Sequence, residues 1–414
     1  MVFPIPASIL STSASPTIAV CVPRIGPYHA ARLRAARDRG HLTAVETRRT
    51  DQEYAWDEVR DLGLVERRTL LPPGGADPSG RQIRSRMFDV LDSIRPAAVA
   101  VTGWSELDAL SALDWCARRR VPAVMMSESQ ERDAPRSWIK ERIKRVLVRY
   151  CSAALVGGTP HARYIEDLGM PADRIFAGYD VIDNDWFARG AAAARARDAE
   201  LRSELRLPQQ YFLASSRFIE KKNLERLLRA YSRYRLQAGE AAWHLVLLGS
   251  GPLQGSLERC VQELSIAPFV QFAGFQQYDE LPNYYGLAGA FIHGSTVEQW
   301  GLVVNEAMAA GLPVLVSNAC GCAADLVQEG RNGFLFDPLQ LDQMTVALQA
   351  VSRDLASARE MGQEGARIIG DWSPRLFRDN LWAAARRAIE APRRAVRGPE
   401  RLVLPFLTRR KEKV

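Results

Sequence analysis

Long apolar runs, paired cysteines and lysines are scarce in this 414-residue chain. No apolar stretch approaches the roughly 20 residues a membrane-spanning helix needs. No basic region precedes an apolar stretch at the N-terminus, so residues 1–16 read as a loose extension rather than a secretory signal. The six cysteines include no CxxC, and the one close pair is Cys320-Gly-Cys322. That pattern argues against a zinc ribbon or a disulfide framework and points to a reduced, cytoplasmic protein. There is no P-loop. Lysine is scarce beside arginine, with six Lys in the 55 Lys plus Arg. Between Lys144 and Lys411 the only lysines are Lys221 and Lys222.

A pI of 9.2 invites a nucleic-acid reading, but the charge is unevenly placed. Residues 391–414 carry eight Lys/Arg against two Glu, a net +6 of the chain's +7. No nucleic-acid-binding motif accompanies these charges, so nucleic acid is not an expected partner. One internal basic stretch stands out at 136–149, where Trp138, Ile143 and Leu147 fall near one helical face among cations. The plainer reading is a solvated helix whose apolar stripe packs on its own domain. The sharper reading is a helix that meets anionic lipid headgroups with help from the basic tail 391–414, placing the protein peripherally at the inner membrane face.

Short apolar runs alternate with helical periods along the chain, the signature of α/β architecture with parallel sheets. The spacing predicts strands at Ile18–Val22, Leu42–Val45, Ala98–Thr102, Ala123–Met126, Ala153–Val156 and Ile175–Ala177 in a first half. It predicts Phe212–Ser215, Leu245–Leu248, Val270–Phe272, Gly289–Ile292 and Val314–Val316 in a second. The Ala/Arg-rich segment Ala188–Arg206 between them reads as a linker with a short helix, and Trp372–Glu390 as a long final helix. The expected organisation is a first Rossmann-like domain over 17–190, a second over 191–375, a closing helix at 376–390 and the basic tail. Doubly wound domains bind ligands at the carboxyl ends of their strands.

Two carboxylates, Glu298 and Glu306, stand with seven residues between them, Gly301 among these, after an apolar strand and at a helix start. A helix N-terminus there offers unpaired N–H groups and a positive dipole end suited to phosphate. Glu306, a turn inside the helix, can accept two hydrogen bonds from a vicinal diol such as ribose. Glu298 can do the same for a hexose. The plain alternative is a loop Glu and a Glu stabilising the helix start. Arg217, Lys221 and Lys222 follow the first strand of the second half. Arg217 can fork onto phosphate oxygens and a Lys adds a compact charge. Two other features mislead. Gly249-Ser-Gly251-Pro-Leu-Gln-Gly255 resembles a dinucleotide fingerprint, but its third glycine is one position late. Asp183-Asn-Asp185 resembles a metal-binding DxD, but it reads as a turn outside any acidic cluster.

These residues resemble those of the family-4 retaining glycosyltransferases of GT-B fold. Glu298 to Glu306 with the following Ala-Met-Ala-x-Gly-x-Pro is similar to that family's E-x7-E motif. Arg217 and Lys222 match its diphosphate pair, and Gly330-Arg-Asn332-Gly333 its late turn. The resemblance implies two Rossmann-like domains facing across a cleft. It also implies a nucleoside diphosphate sugar donor, held by Glu306 at the ribose, Arg217 and Lys222 at the diphosphate, and the amides at Gly301, Leu302 and Val303. Glu298 would act at the sugar, as a stabiliser rather than a nucleophile. No cofactor or metal is implied. The acceptor, a saccharide or lipid-linked saccharide of a bacterial surface glycan, would sit on the first domain near Gly26. In place of the family's cleft histidine stands Ser127 or Glu128, and Asp325 stands where Glu is usual. A GT-B-type sugar-nucleotide epimerase and a non-catalytic sugar-nucleotide-binding protein are the alternatives from other classes.

Overall fold

The computed structural model describes residues 16–49, 56–72, 78–391, 396 and 398–408. All of the expected loose extension except Pro16, and much of the basic tail, lie outside the described residues. Among the described residues thirteen strands form two wholly parallel sheets. The first sheet contains β1 (Ile18–Val22), β2 (Leu42–Glu46), β3 (Glu66–Thr69), β4 (Ala98–Thr102), β5 (Ala123–Ser127), β6 (Ala153–Val156) and β7 (Ile175–Ala177). Its order is β3-β2-β1-β4-β5-β6-β7. The second contains β8 (Tyr211–Ser215), β9 (His244–Leu248), β10 (Val270–Gly274), β11 (Ala290–His293), β12 (Val314–Ser317) and β13 (Gly333–Phe336), ordered β10-β9-β8-β11-β12-β13.

Helices cover both faces of each sheet, so the central strands are buried throughout and read as continuous apolar runs. Two strands were not expected. β3 is Glu-Arg-Arg-Thr at a sheet edge with alternating exposure, and Arg67 anchors it to Glu46 of β2 at 2.7 Å. β13 occupies part of the segment taken as the late turn, and a Cβ on Gly333 would stand 1.8 Å from the Val314 carbonyl.

The linker expectation is corrected. Residues 184–205 form two helices, Asn184–Ala196 and Asp198–Leu205, almost without a break. Their Phe187, Ala191, Ala194 and Leu201 are buried in the core beneath the second sheet, so the segment is structural rather than a spacer. Alanine is the strongest helix former, which explains the result where no clear apolar stripe is visible. The final helix, Pro374–Glu390, crosses back to the first domain. There Phe377, Leu381 and Trp382 join the core under β1 and β4, and Trp382 donates to the Ala36 carbonyl at 2.8 Å.

The basic helix is Trp138–Tyr150. Its expected single stripe is split. Leu147 and Val148 are buried and Ile143 packs beside them, whereas Trp138 is 75% exposed and Ile139 53%. A short helix from the tail, Val403–Leu407, buries Leu404 and Leu407 in the same core and leaves Phe406 exposed. Arg149 and Glu400 pair at 2.7 Å beside it. Among the described residues no helix is long and apolar enough to cross a membrane.

Candidate active site

The carboxyl ends of β8 and β11 bring the predicted donor residues together. The β8 end turns through Arg217 into a short 3-10 turn, Glu220–Lys222, before the helix Leu224–Ala238. Asn223 takes a left-handed conformation there, and its side chain donates to the Gly294 and Pro338 carbonyls at 3.0 and 2.8 Å. This ties the lysine turn to the loop leaving β11. The glycines after β9 now have a mechanical explanation. A Cβ on Gly249 would lie 1.9 Å from the Ser216 carbonyl, and one on Gly251 2.6 Å from that of Phe218. The β9 loop is therefore a bed for the Arg217 loop, and Phe218 N–H donates to the Ser250 carbonyl at 2.8 Å.

Glu298 is nearly buried and ion-paired with Lys222. Its Oε2 also receives His293 Nε2 at 3.0 Å. Burial alone would raise its pKa, but the His293 hydrogen bond and the Lys222 charge hold it well below the usual carboxylate range. Burial pushes the His293 pKa down despite Glu298, so the imidazole is neutral near pH 7 and donates through Nε2. Composition and spacing gave no reason to single out His293, since it closes an apolar strand. The Glu298 backbone is gripped from the first domain. Gln130 donates to the Glu298 carbonyl at 2.9 Å, and His161 Nε2 meets the Gln299 carbonyl at 2.8 Å.

The helix Leu302–Ala309 begins at Gly301, whose φ of +103° favours glycine. Leu302 and Val303, which carry its first amides, are partly exposed. Glu306 lies further in, wholly buried. Tyr285 donates to its Oε2 at 2.6 Å, and Tyr28 of the first domain donates to Oε1. Burial outweighs these two hydrogen bonds and raises the Glu306 pKa to about 7. The free carboxyl titrates near 4.5, so the folded protein binds the extra proton between those values. Stability should fall as pH rises from about 4.5 to 7, and the penalty is complete above 7. Glu306→Gln should remove that slope, a difference of roughly 3 kcal/mol at pH 8. Urea midpoints of both proteins across this range measure it, and parallel pH profiles would refute it.

On the first-domain side, Gly26 caps the helix Pro27–Arg37, and a Cβ there would meet nothing within 4 Å. Of the two candidates in the histidine's place, Ser127 closes its own turn, accepting from Ser129 N–H at 3.2 Å. Glu128 instead meets Asp180, a residue not singled out from the sequence. Asp180 is fully buried, 3.4 Å from the Arg32 guanidinium. Burial, and then the Glu128 carboxylate, push its pKa far up. Asp183, part of the DxD-like segment, caps a helix by accepting from Trp186 N–H at 2.9 Å, while Asn184 donates to the Ile369 carbonyl at 2.7 Å. Asp325 ties the domains together through the amide of Thr159 at 2.8 Å.

Two doubly wound parallel sheets meeting over this cluster define a GT-B protein. Residues 197–367, nearly all of the second domain, match the family described as "Glycosyl transferases group 1". The chain is 33% identical over 200 residues to the GDP-mannose-dependent alpha-(1-6)-phosphatidylinositol monomannoside mannosyltransferase of Mycobacterium tuberculosis, covering 46% of this chain and 50% of that protein. It is 26% identical over 249 residues to mannosylfructose-phosphate synthase of Agrobacterium fabrum, covering 56% and 53%. The chain thus spans about half the length of these curated relatives. Among solved structures, Anabaena HepE in complex with UDP and glucose superposes with a TM-score of 0.68 at 18% identity, covering 89% of this chain and 98% of that one. A sucrose-phosphate synthase from Thermosynechococcus elongatus gives 0.68 at 19% identity, covering 89% and 96%.

Proposed function

We propose that this protein transfers a hexose from a nucleoside diphosphate sugar to a saccharide or lipid-linked acceptor, with retention of configuration and without a metal. The observation that carries this reading is the meeting of Lys222, Glu298 and the helix start at Gly301 beside the Arg217 loop, within the residues that match the group 1 family. In the reaction the bond from the anomeric carbon to the diphosphate oxygen breaks and one to the acceptor hydroxyl forms. The acceptor proton passes to the departing phosphate. Arg217, Lys222 and the amides of Leu302 and Val303 are placed to stabilise charge growing on that phosphate. Glu298, kept ionised, accepts from sugar hydroxyls and steadies positive charge at the anomeric carbon. Gly26, Ser127 and Glu128 would line the acceptor side.

Lys222→Ala or Arg217→Ala should each weaken binding of free UDP or GDP by about 1.5–3 kcal/mol, the scale of a charged hydrogen bond. Unchanged affinity by calorimetry would remove the diphosphate assignment. A panel including GDP-mannose and UDP-glucose, scored for slow hydrolysis with and without EDTA, tests donor and metal independence together. The anomeric configuration of the product by NMR tests retention.

We also propose a peripheral membrane position for the first domain. Trp138 and Ile139 stand exposed beside the exposed cations Lys140, Arg142 and Arg145, which suits an anionic bilayer surface. The protein should pellet with phosphatidylglycerol vesicles at low salt, and Trp138→Asp should reduce the bound fraction severalfold. No pelleting by the parent chain would rule this out.

A further inference from the structure

Glu306 has no open face. Tyr285, from the same domain, covers Oε2 at 2.6 Å. Tyr28, near the start of the helix Pro27–Arg37 in the first domain, covers Oε1 across the cleft. A phenol donating to a carboxylate makes the same contact that a ribose hydroxyl would make. We propose that Tyr28 is a seat-holder for the donor: in the ligand-free closed protein its hydroxyl occupies the place on Glu306 that a ribose hydroxyl takes. The proposal rests on the assignment of Glu306 to the ribose.

The surroundings fit a contact that forms and breaks as the cleft closes and opens. Tyr28 packs edge-on against Trp56 of the first domain at 5.3 Å and Tyr278 of the second at 5.8 Å. Trp186 stacks on the same Tyr278 at 6.1 Å. A cavity of about 240 Å³ lies alongside, lined by Trp56, Trp186, Tyr278, Arg34 and Gln277. These rings supply apolar contact in the closed form, while the Tyr28 hydroxyl on Glu306 and the Asp57 N–H donating to Gln277 Oε1 at 3.0 Å supply polar ones. When the domains part, Glu306 keeps Tyr285 but loses its second donor. An intramolecular hydrogen bond to a carboxylate is more favourable than the water contact that replaces it, so the open form is penalised until a ribose hydroxyl arrives. The donor must therefore displace Tyr28, and its apparent affinity is reduced by the scarcity of the vacated state. After transfer, the returning Tyr28 competes with the nucleoside diphosphate and hastens its departure.

Tyr28→Phe keeps the ring and its edge contacts and deletes only the hydroxyl. Calorimetry of the full chain with UDP and with GDP should show the better ligand binding about three- to thirtyfold more tightly to the variant. Thermal unfolding without nucleotide checks that the variant is folded. Unchanged or weaker binding by folded Tyr28→Phe overturns the proposal. Glu306→Ala separates the two levels. If it weakens binding while Tyr28→Phe does not tighten it, Glu306 still holds the ribose and only the role of Tyr28 falls. If Glu306→Ala leaves the affinity unchanged, the ribose assignment falls and the Tyr28 proposal with it.

Discussion

Gly249→Ala should lower stability by about 2–6 kcal/mol and weaken UDP or GDP binding tenfold or more. Two effects add at this position. The φ of +134° is strained for any residue with a side chain, at roughly 1–3 kcal/mol. The new methyl would also stand 1.9 Å from the Ser216 carbonyl, and relieving such overpacking typically costs about 1–3 kcal/mol. The colliding carbonyl is backbone, so no rotamer change can clear it. The Ser216–Phe218 loop has to move, and Arg217 moves with it. Urea midpoints measure the first effect and calorimetry the second. A loss below about 1 kcal/mol with unchanged nucleotide affinity would show that the loop does not depend on this contact.

Lys222→Met should be nearly as damaging, for an electrostatic reason. Glu298 and Lys222 have side chains only 13% and 12% exposed. Removing one partner of such a pair leaves a buried charge uncompensated, at about 3–5 kcal/mol. His293 softens the loss, since it still donates to Glu298 at 3.0 Å. The sign of the pH effect follows from the depressed Glu298 pKa. In the parent chain the Glu298 contribution is present above the ordinary carboxyl pKa and is lost as pH falls through the folded value. In Lys222→Met the carboxyl pKa rises toward its ordinary value, so the defect should grow as pH rises to about 4.5 and stay level above it. The double variant Lys222→Met/Glu298→Gln should recover most of the stability yet transfer no sugar. If it stays as unstable as Lys222→Met, packing rather than the ion pair accounts for the loss.

The parts of this fold that are legible in the sequence are those dictated by neighbours along the chain. β4 and β6 are buried on both faces, and Ala98-Val-Ala-Val and Ala153-Ala-Leu-Val show it as uninterrupted apolar runs. β3 gives no such signal. It is an edge strand whose place depends on Arg67 finding Glu46, a pairing across twenty-one positions. Residues 184–205 mislead for the opposite reason, because an alanine-rich helix needs little apolar patterning to form. The same division runs through the site. Glu298, Gly301 and Glu306 share one strand–loop–helix unit, so their spacing carries chemistry. Arg217 and Lys222 stand out because lysine is so scarce between 145 and 410. Tyr28 lies 278 positions from the carboxylate it covers, and nothing near Gly26 hints at that contact. Asp180 carries no motif signal, and its pKa is raised first by burial and then by Glu128, fifty-two residues earlier.

The returning helix Pro374–Glu390 has a consequence for how the molecule comes into being. Its Phe377, Leu381, Trp382 and Ala385 fill the core beneath β1 and β4, strands made hundreds of residues earlier. As the chain leaves the ribosome, the first domain emerges first but waits with that face uncovered until the second is complete. The half that is translated earliest is therefore the last to be finished. A chain stopped just after residue 373 would retain every candidate donor residue and still leave the first domain without part of its core.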